Sequence, residues 1–329
     1  MQDKQLYLSF METAVRQWFE GCTDSGSVKA GDGTLLRYYT AIPEKPRAAV
    51  VIVHGFCEFF GKYHEPAMRF WQEGFAVFFC EHRGHGYSGG KLPEPDEDIV
   101  YIDDYRTYVS DLKCFLDQIV MPRCADLPKI LFAHSMGGAI AALFLESYPE
   151  YFQEAIFSSP MFMLKTGKYP AWVAGAAAGI MCLTGRGREL APGEKRFSDQ
   201  NIFEKSSTLS RERYEYQFRQ RVADRHYQTY GASYSWVAAS LRATRKLLAD
   251  AYKIRIPVSL MSAGRDSLVK REGFIRFMQK VPQTREYAFE TSKHEIFNAD
   301  DETVRAYYDR IFSVLGKYGP PGRSHRVIS

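Results

Sequence analysis

The stretch Phe132-Ala133-His134-Ser135-Met136-Gly137-Gly138 decides the fold of this chain. Residues 129–133 predict a buried strand that enters it, and residues 136–148 predict a helix that leaves it. A sharp strand-to-helix turn holds a serine in strained backbone geometry, with its hydroxyl clear of the sheet. Small residues are needed two positions before and after the serine, and these are Ala133 and Gly137. The pattern is G-x-S-x-G with its first glycine replaced by alanine. A chance glycine-rich turn is disfavoured by the flanking strand and helix, so we predict that Ser135 is a nucleophile.

Strands and helices alternate on both sides of this turn. The run 48–54 is almost entirely apolar and β-branched, which is typical of a strand buried on both faces. Such alternation predicts an α/β fold with a mostly parallel sheet. Strands are predicted over 31–39, 47–54, 75–80, 129–133, 154–158, 257–263 and 286–289, and helices over 61–74, 103–120, 136–148 and 301–315.

The alternation stops between residues 159 and 256, where the sequence has helical spacing, many aromatic residues and no convincing strand. We interpret 163–245 as a helical cap inserted into an α/β core that comprises 25–162 and 246–319. A length of 329 residues suits one large core with such an insertion.

Both ends of the chain are predicted to lie outside this core. Residues 1–24 are predicted to form an amphipathic helix that packs on the core, because Leu6, Phe10, Ala14 and Trp18 recur at helical spacing. Contact of that helix with a membrane surface is the alternative. Residues 320–329 are predicted to be disordered.

Composition excludes several classes of protein. The N-terminus lacks the basic start and apolar run of a signal peptide, and the most apolar run, 169–183, is too short to span a bilayer. The six cysteines form no CxxC pair, which disfavours a zinc site and indicates reduced thiols. We therefore expect a cytoplasmic protein, either soluble or peripheral on the inner membrane. A net charge of +4 without a binding motif gives no support for nucleic-acid binding.

A nucleophilic serine needs a base, and the base needs an acid that orients it. In folds with this serine turn the acid and the histidine follow the serine in that order. Asp266 comes just beyond the predicted strand 257–263, and His294 follows the last predicted strand. The alternative acid, Glu295, is adjacent to His294 and badly placed to orient the same imidazole. We predict a triad of Ser135, Asp266 and His294.

Acyl transfer also needs donors for the oxyanion that develops. The backbone N–H of Met136, the residue after the serine, is one predicted donor. The other is the N–H of Phe56, on the loop after the strand that ends at His54. His54 precedes the serine in the chain, so we interpret it as a structural residue that holds this loop by hydrogen bonds.

Several short motifs together resemble the lysophospholipase and monoacylglycerol lipase group of α/β-hydrolases, and most closely bacterial lysophospholipase L2-type enzymes. The motifs are His54-Gly55, HRGHGYS (82–88), AHSMGG (133–138), Gly264-x-Asp266 and His294-Glu295. The resemblance spans roughly residues 25–318. The resemblance implies that the three triad residues and both oxyanion donors have the roles predicted above, and that the reaction needs no metal or cofactor. Relatives usually have glycine at Ala133 and often aspartate at Glu81, and neither departure alters this chemistry.

Substrate class is expected to depend on the cap. Segment 186–253 holds 14 Lys and Arg against 8 Asp and Glu, and aromatic residues lie among its arginines. This mixture favours a lipid ester substrate and contact between the cap and an anionic membrane surface. Alternatively, the arginines form ion pairs with Glu212, Glu215 and Asp224 inside the cap. The arginines in question are Arg211, Arg213, Arg219, Arg221 and Arg225.

We predict a serine esterase that cleaves a single-chain lipid, a lysophospholipase first, through an acyl-enzyme on Ser135. A monoacylglycerol lipase or a broad carboxylesterase is the alternative. An aminopeptidase is disfavoured, because binding a free amine usually requires carboxylates in the cap, and segment 186–253 is net cationic. A non-catalytic binding protein is disfavoured because it would have no use for all three triad groups.

Overall fold

The computed structural model describes residues 2–319, so the predicted disordered tail, 320–329, lies outside the described residues. Its centre is an eight-stranded sheet that comprises β1 (Asp24–Lys29), β2 (Leu35–Ala41), β3 (Ala48–Val53), β4 (Phe75–Cys80), β6 (Lys129–His134), β7 (Glu154–Ser158), β9 (Val258–Ala263) and β10 (Thr284–Phe289). The strand order is β1-β2-β4-β3-β6-β7-β9-β10, and every neighbouring pair from β4 to β10 is parallel.

Helices cover both faces of the sheet. On one face pack α4 (Tyr105–Phe115), α5 (Met121–Cys124), α6 (Met136–Ser147), α9 (Tyr234–Asp250) and α10 (Arg271–Lys280). On the other pack α1 (Gln2–Phe10), α2 (Arg16–Cys22), α3 (His64–Gln72) and α11 (Asp301–Leu315). The central strands β3 and β6 are fully buried, as their continuous apolar sequences predict.

The first strand pair differs from the prediction. A single strand over 31–39 is wrong: β1 and β2 form an antiparallel hairpin, and Gly33 in its turn has a φ of +89°. The sequence of β1, DSGSVK, has only one apolar side chain, Val28, that is buried. As an edge strand that is mostly exposed, β1 carries little of the alternation by which strands are recognised.

The N-terminal helix packs on the core, as predicted, but through a partly different set of residues, of which Trp18 belongs to the predicted stripe. Met11, Val15 and Trp18 are buried, whereas Leu6, which the predicted stripe includes, is 68% exposed. A π-helical turn over Met11–Val15 separates α1 from α2 and shifts the register of the buried face.

Segment 163–245, the predicted cap, contains α7 (Ala171–Leu183) and α8 (Arg211–Ala223). It also holds a two-residue strand, β8 (Gly231–Ala232), which pairs in parallel with β5 (Ile99–Val100) and which the sequence did not indicate. The predicted boundary after residue 245 falls inside the continuous helix α9. Among residues 2–319, no helix combines the length and the apolar character needed to cross a membrane.

Candidate active site

The turn between β6 and α6 holds Ser135 in strained geometry, as the motif predicts. Ser135 has a φ of +52° and a ψ of −119°, a combination that side-chain-bearing residues rarely adopt. Two backbone hydrogen bonds fix the turn: Ser135 N donates to Ser158 O (3.1 Å), and Met161 N donates to Ser135 O (2.8 Å). The neighbouring strand β7 and the residues after it therefore hold the serine in place.

The need for small residues after the serine follows from close backbone contacts. A β-carbon on Gly137 would lie 2.1 Å from the carbonyl oxygen of Val53, and one on Gly138 would lie 2.5 Å from Cβ of Pro160. The first contact is with the backbone of β3, which cannot move aside without disturbing the sheet. The motif therefore requires glycines at these positions because α6 lies so close to the neighbouring strand.

The structure brings Ser135, His294 and Asp266 into one hydrogen-bonded chain at the carboxyl edge of the sheet. His294 Nε2 lies 2.8 Å from Ser135 Oγ, and His294 Nδ1 lies 2.6 Å from Asp266 Oδ2. Each residue follows a parallel strand, β6, β9 or β10, and these strands end at the same edge. A bond from Arg265 N to Ser292 O (2.9 Å) joins the loop of the acid to the loop of the histidine.

Asp266 is held in its ionised form. Burial acts to raise its pKa, but the hydrogen bond with His294 and the backbone N–H groups of Leu268 and Val269 outweigh burial and lower the pKa below its usual value. Those N–H groups donate to Oδ1 at 2.8 and 3.1 Å, which leaves Oδ2 for His294. An ionised, fixed carboxylate is what orienting an imidazole requires.

The alternative acid, Glu295, points elsewhere. Its carboxylate accepts from Ser207 Oγ (2.7 Å) and Asn298 Nδ2 (2.9 Å) and forms an ion pair with Lys62 Nζ (2.8 Å). Burial acts to raise the pKa of Glu295, but Lys62 and these hydrogen bonds lower it far below its usual value. Among the side chains around His294, Asp266 is the carboxylate that its Nδ1 contacts.

The two predicted oxyanion donors lie at the start of α6 and on the loop after β3. Met136 is the first residue of α6, so its N–H has no intrahelical acceptor. Phe56 follows β3 and lines the same cavity as Ser135. His54 holds this loop, as predicted: its Nε2 accepts from His82 N (2.9 Å), and its O contacts His82 Nε2 (3.0 Å). The role of the two N–H groups as oxyanion donors stays a prediction.

A buried ion cluster beneath the site was not predicted from the sequence. Lys62 Nζ bridges two carboxylates, those of Glu58 and Glu295, and all three side chains are almost wholly buried. Glu58 also accepts from Gly55 N, so the cluster joins the loop that bears Phe56 to the loop that bears His294. Glu58 and Lys62 are four residues apart just after His54-Gly55. This spacing is the sequence feature from which their ion pair could have been predicted.

A cavity of about 740 Å³ opens above Ser135. It has the size of a small-molecule site and its wall is mostly apolar. The loop before α7 and the inner face of α7 form one wall, and Trp236 of α9 and Phe56 form another. No group of three or more His, Cys, Asp or Glu residues suited to a metal ion occurs within residues 2–319.

Two of the five cap arginines bond to the core, whereas the side chains of Arg211, Arg219 and Arg225 are 48%, 55% and 68% exposed, so contact with an anionic surface stays a prediction. Arg213 is buried and pairs with Glu65 and Asp301, and Arg221 donates to the backbone oxygens of Cys57 and Thr229. The alternative of pairing inside the cap holds for Arg211, whose partners lie in segment 163–245, and not for Arg213 or Arg219, whose partners lie outside it. The remaining three arginines pair as Arg211 with Glu204 and Glu215, Arg219 with Glu12, and Arg225 with Glu94. All of these arginines except Arg211 thus join segment 163–245 to the core or to the N-terminal helix.

This strand order, with three hydrogen-bonded side chains after β6, β9 and β10, is that of an α/β-hydrolase. Residues 44–301 match the family described as serine aminopeptidase, S33, and the chain belongs to this family. The fold and family resemblance expected from the motifs are thereby confirmed.

Two lysophospholipases and one monoglyceride lipase structure are among the proteins similar to the chain. A probable lysophospholipase L2 of Haemophilus influenzae is 24% identical over 91% of each chain. Lysophospholipase L2 of Escherichia coli K12 is 31% identical over 70% of this chain and 67% of its own length. A soluble variant of monoglyceride lipase from Saccharomyces cerevisiae, solved with a substrate analogue, superposes with a TM-score of 0.71 at 17% identity, covering 90% of this chain and 96% of the other.

Proposed function

We propose that this protein is a lysophospholipase, which hydrolyses the ester bond of a single-chain phospholipid through an acyl-enzyme on Ser135. It is a carboxylic ester hydrolase. The observation that carries the proposal is the hydrogen-bonded chain from Asp266 through His294 to Ser135, which opens into a mostly apolar cavity. The two lysophospholipase relatives support the same substrate class.

The reaction begins when Ser135 Oγ attacks the ester carbonyl and its proton passes to His294 Nε2. Asp266 stabilises the imidazolium and holds its Nδ1 proton in place. The N–H groups of Met136 and Phe56 donate to the carbonyl oxygen as it gains negative charge. His294 then gives its proton to the departing alcohol, and the acyl group remains bonded to Ser135.

Water completes the cycle by the same route in reverse. His294 Nε2 takes a proton from the water, whose oxygen attacks the acyl carbonyl. The bond to Ser135 Oγ breaks, the serine recovers a proton from His294, and the fatty acid leaves. These steps are carried out by the side chains and backbone groups already named.

We also propose that α7 contacts a lipid surface from which the substrate enters. Its outer residues Trp172, Ile180 and Leu183 are 70%, 60% and 89% exposed, and Tyr169 just before the helix is 69% exposed. Such a concentration of exposed large apolar side chains is typical of interaction surfaces. The opposite face of α7 lines the cavity, so a lipid tail has a short path from the surface to Ser135. The predicted cytoplasmic location, peripheral on the inner membrane, is part of this proposal.

The activity is tested by measuring product release from four substrate classes: lysophospholipids, monoacylglycerols, short-chain esters and amino-acid amides. We expect the highest kcat/KM for a long single-chain ester and none of this turnover with Ser135→Ala. Faster release from the amino-acid amides would instead support an aminopeptidase, the activity named in the family description. Absence of turnover in every class would contradict the proposal.

A further inference from the structure

Three charged side chains lie in the otherwise uncharged and mostly apolar lining of the cavity. They are Lys165 and Lys168, on the loop before α7, and Glu194. All three residues are exposed to solvent, and a ligand that covers them must supply groups of opposite charge to avoid a desolvation cost. The three therefore indicate what the polar end of the substrate carries.

The loop of the lysines is fixed against the loop of the catalytic acid. Lys165 N donates to Leu268 O (2.9 Å), and Lys270 N donates to Met163 O (2.8 Å). The ammonium of Lys165 donates to the backbone oxygen of Asp266 at 2.6 Å. This bond uses one of its three N–H donors and leaves two for a ligand close to the triad.

Neither lysine is neutralised by the protein. No carboxylate lies within ion-pair distance of Lys165 or Lys168 in the part of the chain that the structure describes, whereas each cap arginine discussed above has a partner. Two positive charges without an acidic partner thus lie on the lining of the cavity that contains Ser135.

Glu194 supplies the opposite charge. Its Oε2 accepts from Ala232 N (3.2 Å), and within residues 2–319 it has no cationic partner. Partial desolvation raises the pKa of this carboxyl, and a cation bound beside it would lower that pKa again.

We infer that Lys165 and Lys168 bind the phosphate of a zwitterionic lysophospholipid head group and that Glu194 binds its terminal ammonium. This inference rests on the proposed function and specifies which single-chain ester the cavity selects. Ammonium groups bind phosphate through charge-assisted hydrogen bonds, which strengthen in an apolar surrounding. A glycerol head group would leave all three charges uncompensated.

The test compares three lipids that share one acyl chain: lysophosphatidylethanolamine, lysophosphatidic acid and monoacylglycerol. They are presented in neutral detergent micelles, so that attraction to a charged surface does not contribute. Lys168→Gln is expected to lower kcat/KM for both phosphate-bearing lipids about tenfold, the scale of one charged hydrogen bond, and to leave monoacylglycerol within twofold. Lys165→Gln should act in the same direction, but its bond to Asp266 makes Lys168 the cleaner probe.

Glu194→Gln separates the two halves of the head group. It should lower kcat/KM for lysophosphatidylethanolamine several-fold and leave lysophosphatidic acid, which has no ammonium, unchanged. Lys45→Gln is the matched control, because Lys45 is an exposed lysine that precedes β3 at the opposite edge of the sheet. It should change none of the three rates.

Two outcomes would overturn the head-group inference. One is an equal effect of Lys168→Gln on all three lipids. The other is a wild-type enzyme that hydrolyses monoacylglycerol faster than lysophosphatidylethanolamine, which would leave ester hydrolysis of single-chain lipids intact. If the wild-type enzyme hydrolysed none of the lipids, the proposed function itself would be the part that fails.

Discussion

At the carboxyl edge of the sheet the buried charges around Ser135 are paired, whereas segment 163–245 leaves lysines unpaired and large apolar side chains exposed. In the core, Lys62 lies between two carboxylates and Asp266 is bonded to His294. Along α7, by contrast, Ala178 is the one buried residue. This comparison supports the proposal that the core fixes the reacting groups and that segment 163–245 contacts the lipid.

The largest effect is expected at the reacting serine. Ser135→Ala should lower kcat by about a millionfold, the scale seen when a triad serine is removed. It should leave the folded structure intact, because the side chain contributes no bond to the fold apart from the one with His294. Esterase assays beside thermal melts check this. A variant with unchanged melting that keeps its turnover would show that the core does not hold the nucleophile at Ser135.

Removal of the cation from the buried cluster should destabilise the core. Lys62→Met would leave Glu58 and Glu295 as buried carboxylates without their cation, at an expected cost of about 3–5 kcal/mol in the free energy of unfolding. Urea unfolding measures this, with Lys62→Arg as the variant that keeps the charge. Equal stability of the methionine and arginine variants would contradict the role of this pairing.

The exposed apolar face of α7 should matter for membrane contact and not for folding. Trp172→Ser combined with Leu183→Ser should weaken binding to phospholipid vesicles by about tenfold or more, given the transfer free energy of two large apolar side chains. Turnover of a water-soluble short ester should stay unchanged. Vesicle co-sedimentation measures the binding.

Leu6→Ser provides the control for α7, because Leu6 is similarly exposed, at 68%, but lies on the N-terminal helix. It should not alter vesicle binding. An equal loss of binding in this control, or none in the α7 variant, would remove α7 as the lipid-facing surface.

The smallest of the predicted effects is on the pH dependence of stability and concerns Glu146. This residue is an exception to the pairing of charges in the core. Burial, with a contribution from Asp250, raises the pKa of Glu146 to about 8, and its Oε1 has no hydrogen-bond partner. A carboxyl whose pKa is raised on folding binds its proton more tightly in the folded state. Its contribution to stability is therefore lost as the pH rises from about 4.5 to about 8.

Glu146→Gln should accordingly gain stability relative to the wild type between pH 5 and pH 8. We expect a relative gain on the order of 1 kcal/mol, since partial exposure and nearby lysines weaken the effect. Denaturant midpoints at both pH values measure it. Parallel pH dependence in the two proteins would contradict a raised pKa at this position.

The sequence was sufficient for the central sheet and for the positions of the three triad residues. Long apolar β-branched runs and a crowded strand-to-helix turn leave local signals, which is why β3, β6 and Ser135 were recognisable. The strand β1 was missed because an exposed edge strand leaves almost no such signal. The chain order of serine, acid and histidine then supplied Asp266 and His294.

The sequence alone could not predict which charged residues form ion pairs with partners distant in the chain. Arg213 appeared in a run of arginines on one helix, yet its partners, Glu65 and Asp301, are distant in the chain. The same holds for Lys62 and Glu295, which meet only because β3 and β10 end at the same edge. The sequence of a helix shows which charged residues the helix carries. The three-dimensional fold determines which of these residues form ion pairs.

Labelling by a fluorophosphonate with a long alkyl chain tests most directly whether Ser135 is the nucleophile at the base of a lipid cavity. The probe is mixed with the wild-type protein and with Ser135→Ala, and digested samples are examined by mass spectrometry. We predict one phosphonate per chain, on the peptide that contains Ser135, with esterase activity lost in proportion to labelling and no label on the variant. Stoichiometric labelling at another residue, or full activity in the labelled protein, would contradict the account.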